Sequence, residues 1–360
     1  MDQTIRTQWD TWFGTLNTEL KESLLIYLQE HDVIPKNGHG TMPAEHQQLR
    51  IIRPPATTYF ERFKKVPEYI DIWGLLPLMD ALAWEFPLLL KGPKGNGKSH
   101  IPVFWGVKRQ NAAIIPVGCT ESTGEETTEG TQLIIGREAV WELGPVPLAI
   151  DVANETKRAV LIFEEVNSMP AGAQKRLNEI LDWRKSITIN CLGKTYYLND
   201  DVQLAIFMTM NPSGYSGTYD LNEDLKSRVI ELELGYPAQA HEKQIITNVC
   251  GLPPGPAHSM INTAPPIHGD TVDDDTLDKL LKFAQETRTQ VTGYALSIRD
   301  VLDIVKLIQR VGLVAALQLT LHRFEGEDRK VIAQRMAAEW GTQVTSRLHR
   351  YWGSTDLADA

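Results

Sequence analysis

The sequence predicts an α/β fold: a parallel sheet interleaved with helices, followed by a smaller all-α unit. Two observations carry this. Five apolar runs, Leu88–Lys91, Ala113–Gly118, Val160–Phe163, Leu204–Thr209 and Val229–Leu234, are separated by helical patterns. Strands spaced in this way pair in parallel and gather their loops at the C-terminal strand ends, where ligands bind. From Tyr236 onward the period becomes that of helices alone. Leu277, Leu280, Leu281 and Ala284 form one stripe, and Ile298, Val301, Leu302 and Val305 form another.

The remaining elements follow in order. Trp9, Phe13, Leu16, Leu20, Leu24 and Tyr27 recur at spacings of three and four, so residues 4–30 read as an amphipathic helix. Its stripe either packs on the chain's own α/β domain or docks a partner. Pro35–Pro43 is rich in Gly and Pro and reads as a linker. The expected division is therefore 1–55, an N-terminal helical extension and linker; 56–235, the α/β domain; 236–322, the all-α domain; and 323–360, a C-terminal tail, helical to Arg350. Pro253–Pro266 is a Pro-rich loop within the helical part. Thr131–Gly144 alternates around Gly136, and Ile187–Leu198 turns at Leu192-Gly193-Lys194, so both predict β-hairpins. The polar stretch Glu121–Thr131 before the first reads as a mobile loop.

Composition narrows the function. The chain has 360 residues, ordinary apolar content and a net charge of −10, which disfavours non-specific binding to nucleic-acid phosphates. Cys119, Cys191 and Cys250 are scattered without C-x-x-C spacing, so neither a disulfide framework nor a zinc site is expected. No apolar run is long enough to span a membrane, and Met1-Asp-Gln-Thr lacks a signal pattern, so a cytoplasmic protein is expected.

The chemistry begins at Phe86-Pro-Leu-Leu-Leu-Lys-Gly-Pro-Lys-Gly-Asn-Gly-Lys-Ser99. An apolar strand runs directly into Gly92-Pro93-Lys94-Gly95-Asn96-Gly97-Lys98-Ser99, the phosphate-cradling loop called Walker A. Its glycines let successive N–H groups point at phosphate oxygens. Lys98 offers a point charge to the β- and γ-phosphates, Ser99 a hydroxyl to Mg²⁺, and the following helix its positive end. With Gly at about 7% of residues, the four fixed positions match by chance in roughly one chain of this length in a hundred. The motif indicates binding of a nucleoside triphosphate.

Ala159–Asn167 is a buried strand ending in two acids. Phosphoryl transfer needs one carboxylate for the metal's shell and another for the attacking water; Glu164 fits the first task and Glu165 the second. A third strand ends in Met208-Thr-Met-Asn-Pro212, where Asn211 either orients water or merely starts a turn. Arg228, just before the fifth strand, is either a surface charge or a finger reaching another subunit's γ-phosphate. Ser297-Ile-Arg-Asp300 fits a capping box, which places Arg299 in the first turn of a helix. The helix dipole disfavours a cation there. A bound phosphate would offset that cost, as would a surface salt bridge.

The order Walker A, acidic strand end, Asn-Pro strand end, Arg before a strand, and Ser-x-Arg in a helical lid resembles the AAA+ ATPases over about residues 56–320. Leu133-Ile-Ile-Gly-Arg137, Trp141–Pro145, Glu165-Val-Asn167, Leu181–Ser186, Met210-Asn-Pro212 and Gly235-Tyr-Pro237 look most like the MoxR branch, which includes the CbbQ, NorQ and GvpN ATPases. The resemblance implies a P-loop AAA+ α/β domain followed by an all-α lid, with ATP and Mg²⁺ as ligands. It implies that Asn211 is sensor 1, Arg228 the arginine finger, Arg299 sensor 2 and 131–145 the hairpin inserted into helix 2. It further implies a homo-oligomeric ring (a hexamer), a companion protein with a von Willebrand factor A domain, and remodelling of a protein substrate. In related rings such hairpins face the central pore; extending the subunit interface is an equal alternative. Glu164 departs from the pattern, which usually has Asp there, and residues 1–55 lie outside it. A motor acting on nucleic acid, as in AAA+ helicases, loaders and restriction complexes, is the second reading, disfavoured by the acidic balance.

Overall fold

The computed structural model describes residues 49–136, 138–212, 219–252, 270–290 and 294–345. The strands are β1 (Arg50–Ile52), β2 (Leu88–Lys91), β3 (Ala113–Gly118), β4 (Gly130–Ile135), β5 (Glu138–Leu143), β6 (Arg158–Glu164), β7 (Ser186–Ile189), β8 (Lys194–Tyr197), β9 (Gln203–Met210) and β10 (Ile230–Glu233). The five apolar runs of the sequence become one parallel sheet in the order β10-β2-β9-β6-β3. β6 and β9 begin earlier and end later than their apolar runs, while β10 is shorter.

Successive strand residues point to opposite faces, and here both faces are dry. Leu89, Ile115, Leu161, Phe163, Ile206 and Met208 join one core, under the helix Pro145–Thr156. Leu88, Leu90, Ile114, Val160, Ile162 and Phe207 join the other, with Leu75 and Met79 of the helix Leu75–Leu82 and Ile101 and Phe104 of His100–Phe104. Burial on both faces explains why the strands read as unbroken apolar runs. Past Phe104 the helix continues as a π-turn, Trp105–Arg109, for which the sequence reading contains no signal. Trp105 Nε1 and Gln110 Nε2 both donate to Asp80 Oδ1, at 2.9 and 2.8 Å.

Both predicted hairpins are present: β4 pairs antiparallel with β5, and β7 with β8. Gly136 and Gly193 adopt φ of 66° and 58°, the left-handed region glycine tolerates at the turns. The first hairpin has a partner the sequence did not announce. β1 runs parallel to β5, with Ile51 opposite Trp141, giving a three-stranded sheet in the order β1-β5-β4. Arg53, just beyond β1, pairs with Asp151 and Glu155 of the helix Pro145–Thr156, both at 2.5 Å. The stretch read as a mobile loop is corrected in part: Glu125–Glu129 forms a short helix. Thr127 and Thr128 hydroxyls donate to Gly124 O, and the Glu129 carboxylate accepts from Arg176.

After β10 the chain is helical: α1 (Gln239–Cys250), α2 (Asp274–Gln290), α3 (Ile298–Val311), α4 (Leu313–Leu321) and α5 (Gly326–Trp340). They enclose a separate apolar core that includes Ile246, Leu277, Leu281, Ile304, Leu317 and Met336. The predicted stripe of α2 faces it, as do Val301, Leu302 and Val305 of the α3 stripe, whereas Ile298 lies outside this core. The readings of helix 4–30, linker Pro35–Pro43, loop Pro253–Pro266 and the tail beyond 345 lie outside the described residues, as does Arg137.

Candidate active site

β2 lies second from the sheet edge, flanked by β10 and β9, so the loop that leaves it emerges between two other strand ends. Gly92 N–H donates to Met210 O at 3.2 Å, and a Cβ on Gly92 would lie 2.2 Å from Leu234 O. Gly95 and Gly97 take φ of 75° and 89°, so the loop requires glycine at both. Asn96 is buried and its amide donates to Leu234 O at 3.2 Å, tying the loop to the end of β10. The Lys94 side chain has no hydrogen-bond or ion-pair partner among the described residues. Ser99 starts the helix without spending its hydroxyl on a capping bond.

Lys98 is buried, and its Nζ donates to Gly92 O and Pro93 O, each at 2.6 Å, and to Asn211 Oδ1 at 3.1 Å. The register Lys91–Met210 between β2 and β9 explains the last contact, since it sets Asn211 beside Gly92. Burial lowers the Lys98 ammonium to about 8; the Glu165 carboxylate opposes the shift and the Arg299 guanidinium adds to it. Lys98, Asn211, Glu165 and Arg299 are thus brought together from the loop, two strand ends and the helical domain.

Glu164 ends β6 opposite Gly118 of β3, and its carbonyl accepts from Cys119 N–H at 2.9 Å. Glu165 is exposed and has φ 57° and ψ 50°. A glutamate in this left-handed conformation costs about 1–3 kcal/mol and persists only where its surroundings hold it. Two groups do so here. The buried Thr209 Oγ1 accepts the Glu165 N–H at 3.1 Å, and Ser168 N–H donates to Glu165 O at 2.8 Å. Asn167 Nδ2 donates to Asn211 O at 3.3 Å, linking the acidic strand end to the Asn-Pro strand end. Thr209 and Asn167 are site residues that the motif reading quoted but gave no task.

The capping box at Ser297 forms as expected. Ser297 Oγ accepts from Asp300 N at 3.3 Å, and Asp300 Oδ2 accepts from Ser297 N at 2.9 Å. Asp300 also accepts from Tyr294 Oη at 2.7 Å and pairs with Arg323. Arg299 is consequently exposed in the first turn of α3. A Cβ on Gly95 would lie 2.4 Å from Ser297 Oγ and 3.4 Å from Arg299 Cβ, which sets this turn directly on the phosphate loop. Arg228 is different. It is exposed, follows the short helix Glu223–Lys226 and precedes the edge strand β10, with no side-chain partner among the described residues. The structure does not join it to the other candidates within one chain.

Residues 87–229 match the family model described as AAA domain (dynein-related subfamily). This stretch, which holds Gly92–Ser99, Glu164, Glu165, Asn211 and Arg228, is an AAA domain. The chain is 25% identical to protein CbbQ of Hydrogenophilus thermoluteolus over 57% of this chain and 74% of that protein. It is also 24% identical to an uncharacterized protein of Staphylococcus haemolyticus, over 70% of this chain and 89% of that one. The resemblance to the MoxR branch, drawn above from motifs, is thereby borne out. A putative ATPase from Cytophaga hutchinsonii aligns over 84% of this chain and 77% of its own, at 18% identity and a TM-score of 0.40, a likeness too loose to inform function. The AAA+ domain binds nucleotide and its activity is ATP hydrolysis. No helix among the described residues is long and apolar enough to cross a membrane.

Proposed function

We propose that this AAA+ ATPase works as a homo-oligomeric ring, a hexamer, that uses ATP hydrolysis to remodel or activate a protein partner. The observation that carries the reading is the convergence of Lys98, Asn211, Glu165 and the lid residue Arg299 on one loop. Two bodies with separate cores meet at the phosphate loop, so breaking the terminal phosphate bond of bound ATP would alter what Arg299 holds and free the lid to tilt. The hairpin ends carry that tilt outward. Ile134 and Ile135, at the end of the first hairpin, are 80% and 50% exposed, a surface suited to gripping a polypeptide.

Within the site, Glu165 accepts a proton from the attacking water, while Lys98, Asn211 and Arg299 stabilise negative charge on the transferred phosphoryl group. Arg228, just before the edge strand of its own sheet and without a side-chain partner among the described residues, supplies the same service to the neighbouring subunit. Ser99 Oγ and the Glu164 carboxylate are hard oxygen donors that suit Mg²⁺, an ion that keeps waters and shares its shell with phosphates. When bound, Mg²⁺ neutralises charge on the β- and γ-phosphates. A companion with a von Willebrand factor A domain, implied by the MoxR resemblance, completes the assembly.

The test is a trap. Glu165→Gln should bind ATP with near-wild-type affinity and stop turnover, whereas Lys98→Ala should weaken binding. Proteins retained by the Glu165→Gln ring in ATP and released in ADP would be the partners. Retention of DNA alone, or stimulation of the wild-type ATPase by DNA, would replace the protein-remodelling reading with a nucleic-acid motor.

A further inference from the structure

Within the lid, a buried ion pair joins α1 to α2. Arg288 Nη1 donates to Glu242 Oε1 at 2.6 Å, and their side chains are 8% and 0% exposed. Such a pair is a poor device for stability, since apolar side chains of similar volume serve as well or better. This one is also incompletely satisfied, because Glu242 Oε2 and Arg288 Nη2 have no hydrogen-bond partner among the described residues. Burial raises the Glu242 carboxyl above its ordinary range in spite of Arg288. The arrangement therefore calls for an account other than stability.

The other contacts of Arg288 supply it. Its Nε donates to Leu296 O at 2.7 Å, and Leu296 N donates to the neighbouring Thr287 Oγ1 at 3.0 Å. Residues 287 and 288 thus hold both backbone polar groups of the residue just before Ser297, the N-cap of the helix that carries Arg299. On the other side, the guanidinium carbon lies 4.0 Å from the centroid of the Tyr236 ring. Tyr236 follows Leu234 and Gly235, whose carbonyls receive the Asn96 amide of the phosphate loop at 3.2 and 3.5 Å. A closed circuit results: phosphate loop, β10 end, Tyr236, Arg288, Leu296, Ser297, and back to Gly95 of the loop.

We propose that Arg288 is a positioning residue for ATP hydrolysis: through Leu296 and Tyr236 it fixes where the first turn of α3, and so Arg299, stands over the phosphate loop. Only arginine meets all three demands, since the planar fork reaches Glu242 and Leu296 at once while its face stacks on an aromatic ring. The proposal rests on the reading of Arg299 as a phosphate-facing group. Displacing a charge from its productive geometry by an ångström can cost about a hundredfold in rate.

The experiment is a double-mutant cycle on kcat and KM in the full-length protein, with Arg288→Lys, Arg299→Ala and the pair. Arg288→Lys keeps a cation beside Glu242 and loses the fork. It should lower kcat by about ten- to a hundredfold and leave KM nearly unchanged. Added to Arg299→Ala, it should lower kcat no further. If the double variant instead falls by the product of the two single effects, or if Arg288→Lys turns over like wild type, Arg288 does not act through Arg299 and the proposal is wrong. Wild-type turnover by Arg299→Ala would overturn the reading beneath it, and the proposal with it. Tyr236→Leu, which removes the stacked ring and leaves the ion pair in place, repeats the cycle should Arg288→Lys fail to fold. The same non-additivity, with a smaller single effect, is expected; full additivity overturns the proposal here too.

Discussion

Lys98 sits in a loop dry enough to lower its ammonium to about 8, and this gives nucleotide binding a pH dependence with a defined sign. Only the protonated side chain offers charge to phosphate. Its protonated fraction falls from about nine-tenths at pH 7 to about one-tenth at pH 9. ATP affinity should therefore drop roughly tenfold over that interval, ~1.4 kcal/mol. The phosphates do not blur the effect, because above about pH 7.5 their own last protons are already lost. Bound phosphate restores the favourable charge, so binding at pH 9 should take up nearly one proton and binding at pH 7 almost none. Without nucleotide the sign reverses. The folded value lies below the 10.5 of the ordinary side chain, so the unfolded chain holds more protons between about 8 and 10.5, and stability rises with pH across that window. Calorimetric titration with ATP in buffers of different ionisation enthalpy measures both affinity and proton uptake. Lys98→Arg, which stays charged throughout, is the control. Flat affinity between pH 7 and pH 9 with no proton uptake would refute the reasoning.

Thr209→Val removes the acceptor for the Glu165 N–H, leaving a part-buried amide unpaired at a cost of about 1–3 kcal/mol; kcat should fall at least tenfold with ATP affinity unchanged, and unaltered kcat would show that Thr209 does not hold Glu165. Arg228→Ala and Glu165→Gln rings should each be inactive, yet mixing them under conditions of subunit exchange should restore part of the activity, since some interfaces then pair an intact Glu165 with a neighbour's intact Arg228. A mixture that stays inactive despite proven exchange would put Arg228 in cis or in a structural role. Ile134→Ser with Ile135→Ser should leave basal hydrolysis near wild type and abolish stimulation by the captured partner; equal loss of both would assign the hairpin to the subunit interface instead.

What the sequence revealed depended on how local each device is. The phosphate loop is written in consecutive residues whose backbone geometry demands glycine, so Gly92 to Ser99 could be read directly. The Ser297–Asp300 capping box is equally local, and by itself it puts Arg299 in the first turn of a helix. Thr209 was invisible as a site residue because its task depends on the register between β6 and β9, which pairs Phe163 with Met208 and sets Thr209 beside the Glu165 amide. Arg288 was hidden for a stronger reason: its partners come from α1, the β10 linker and the segment before α3. β1 was missed because three half-exposed residues carry no periodic signal, and its pairing is decided by the edge that β5 offers.

That third strand changes the mechanics of the inserted hairpin. A two-stranded hairpin alone is marginally stable, whereas three strands with an apolar face hold together. β1 adds the third strand, and Arg53 bolts the sheet's root to Asp151 and Glu155 of the helix Pro145–Thr156. A single residue, Lys157, separates that helix from β6, and β6 ends in Glu164. The exposed isoleucines are thereby linked, through a three-stranded sheet and a charged joint, to the piece of chain that carries Glu164 and Glu165. Under the proposed function, load at the hairpin and chemistry at the phosphate loop would share this linkage, a direct route by which resistance from a bound partner would alter the rate of the cycle.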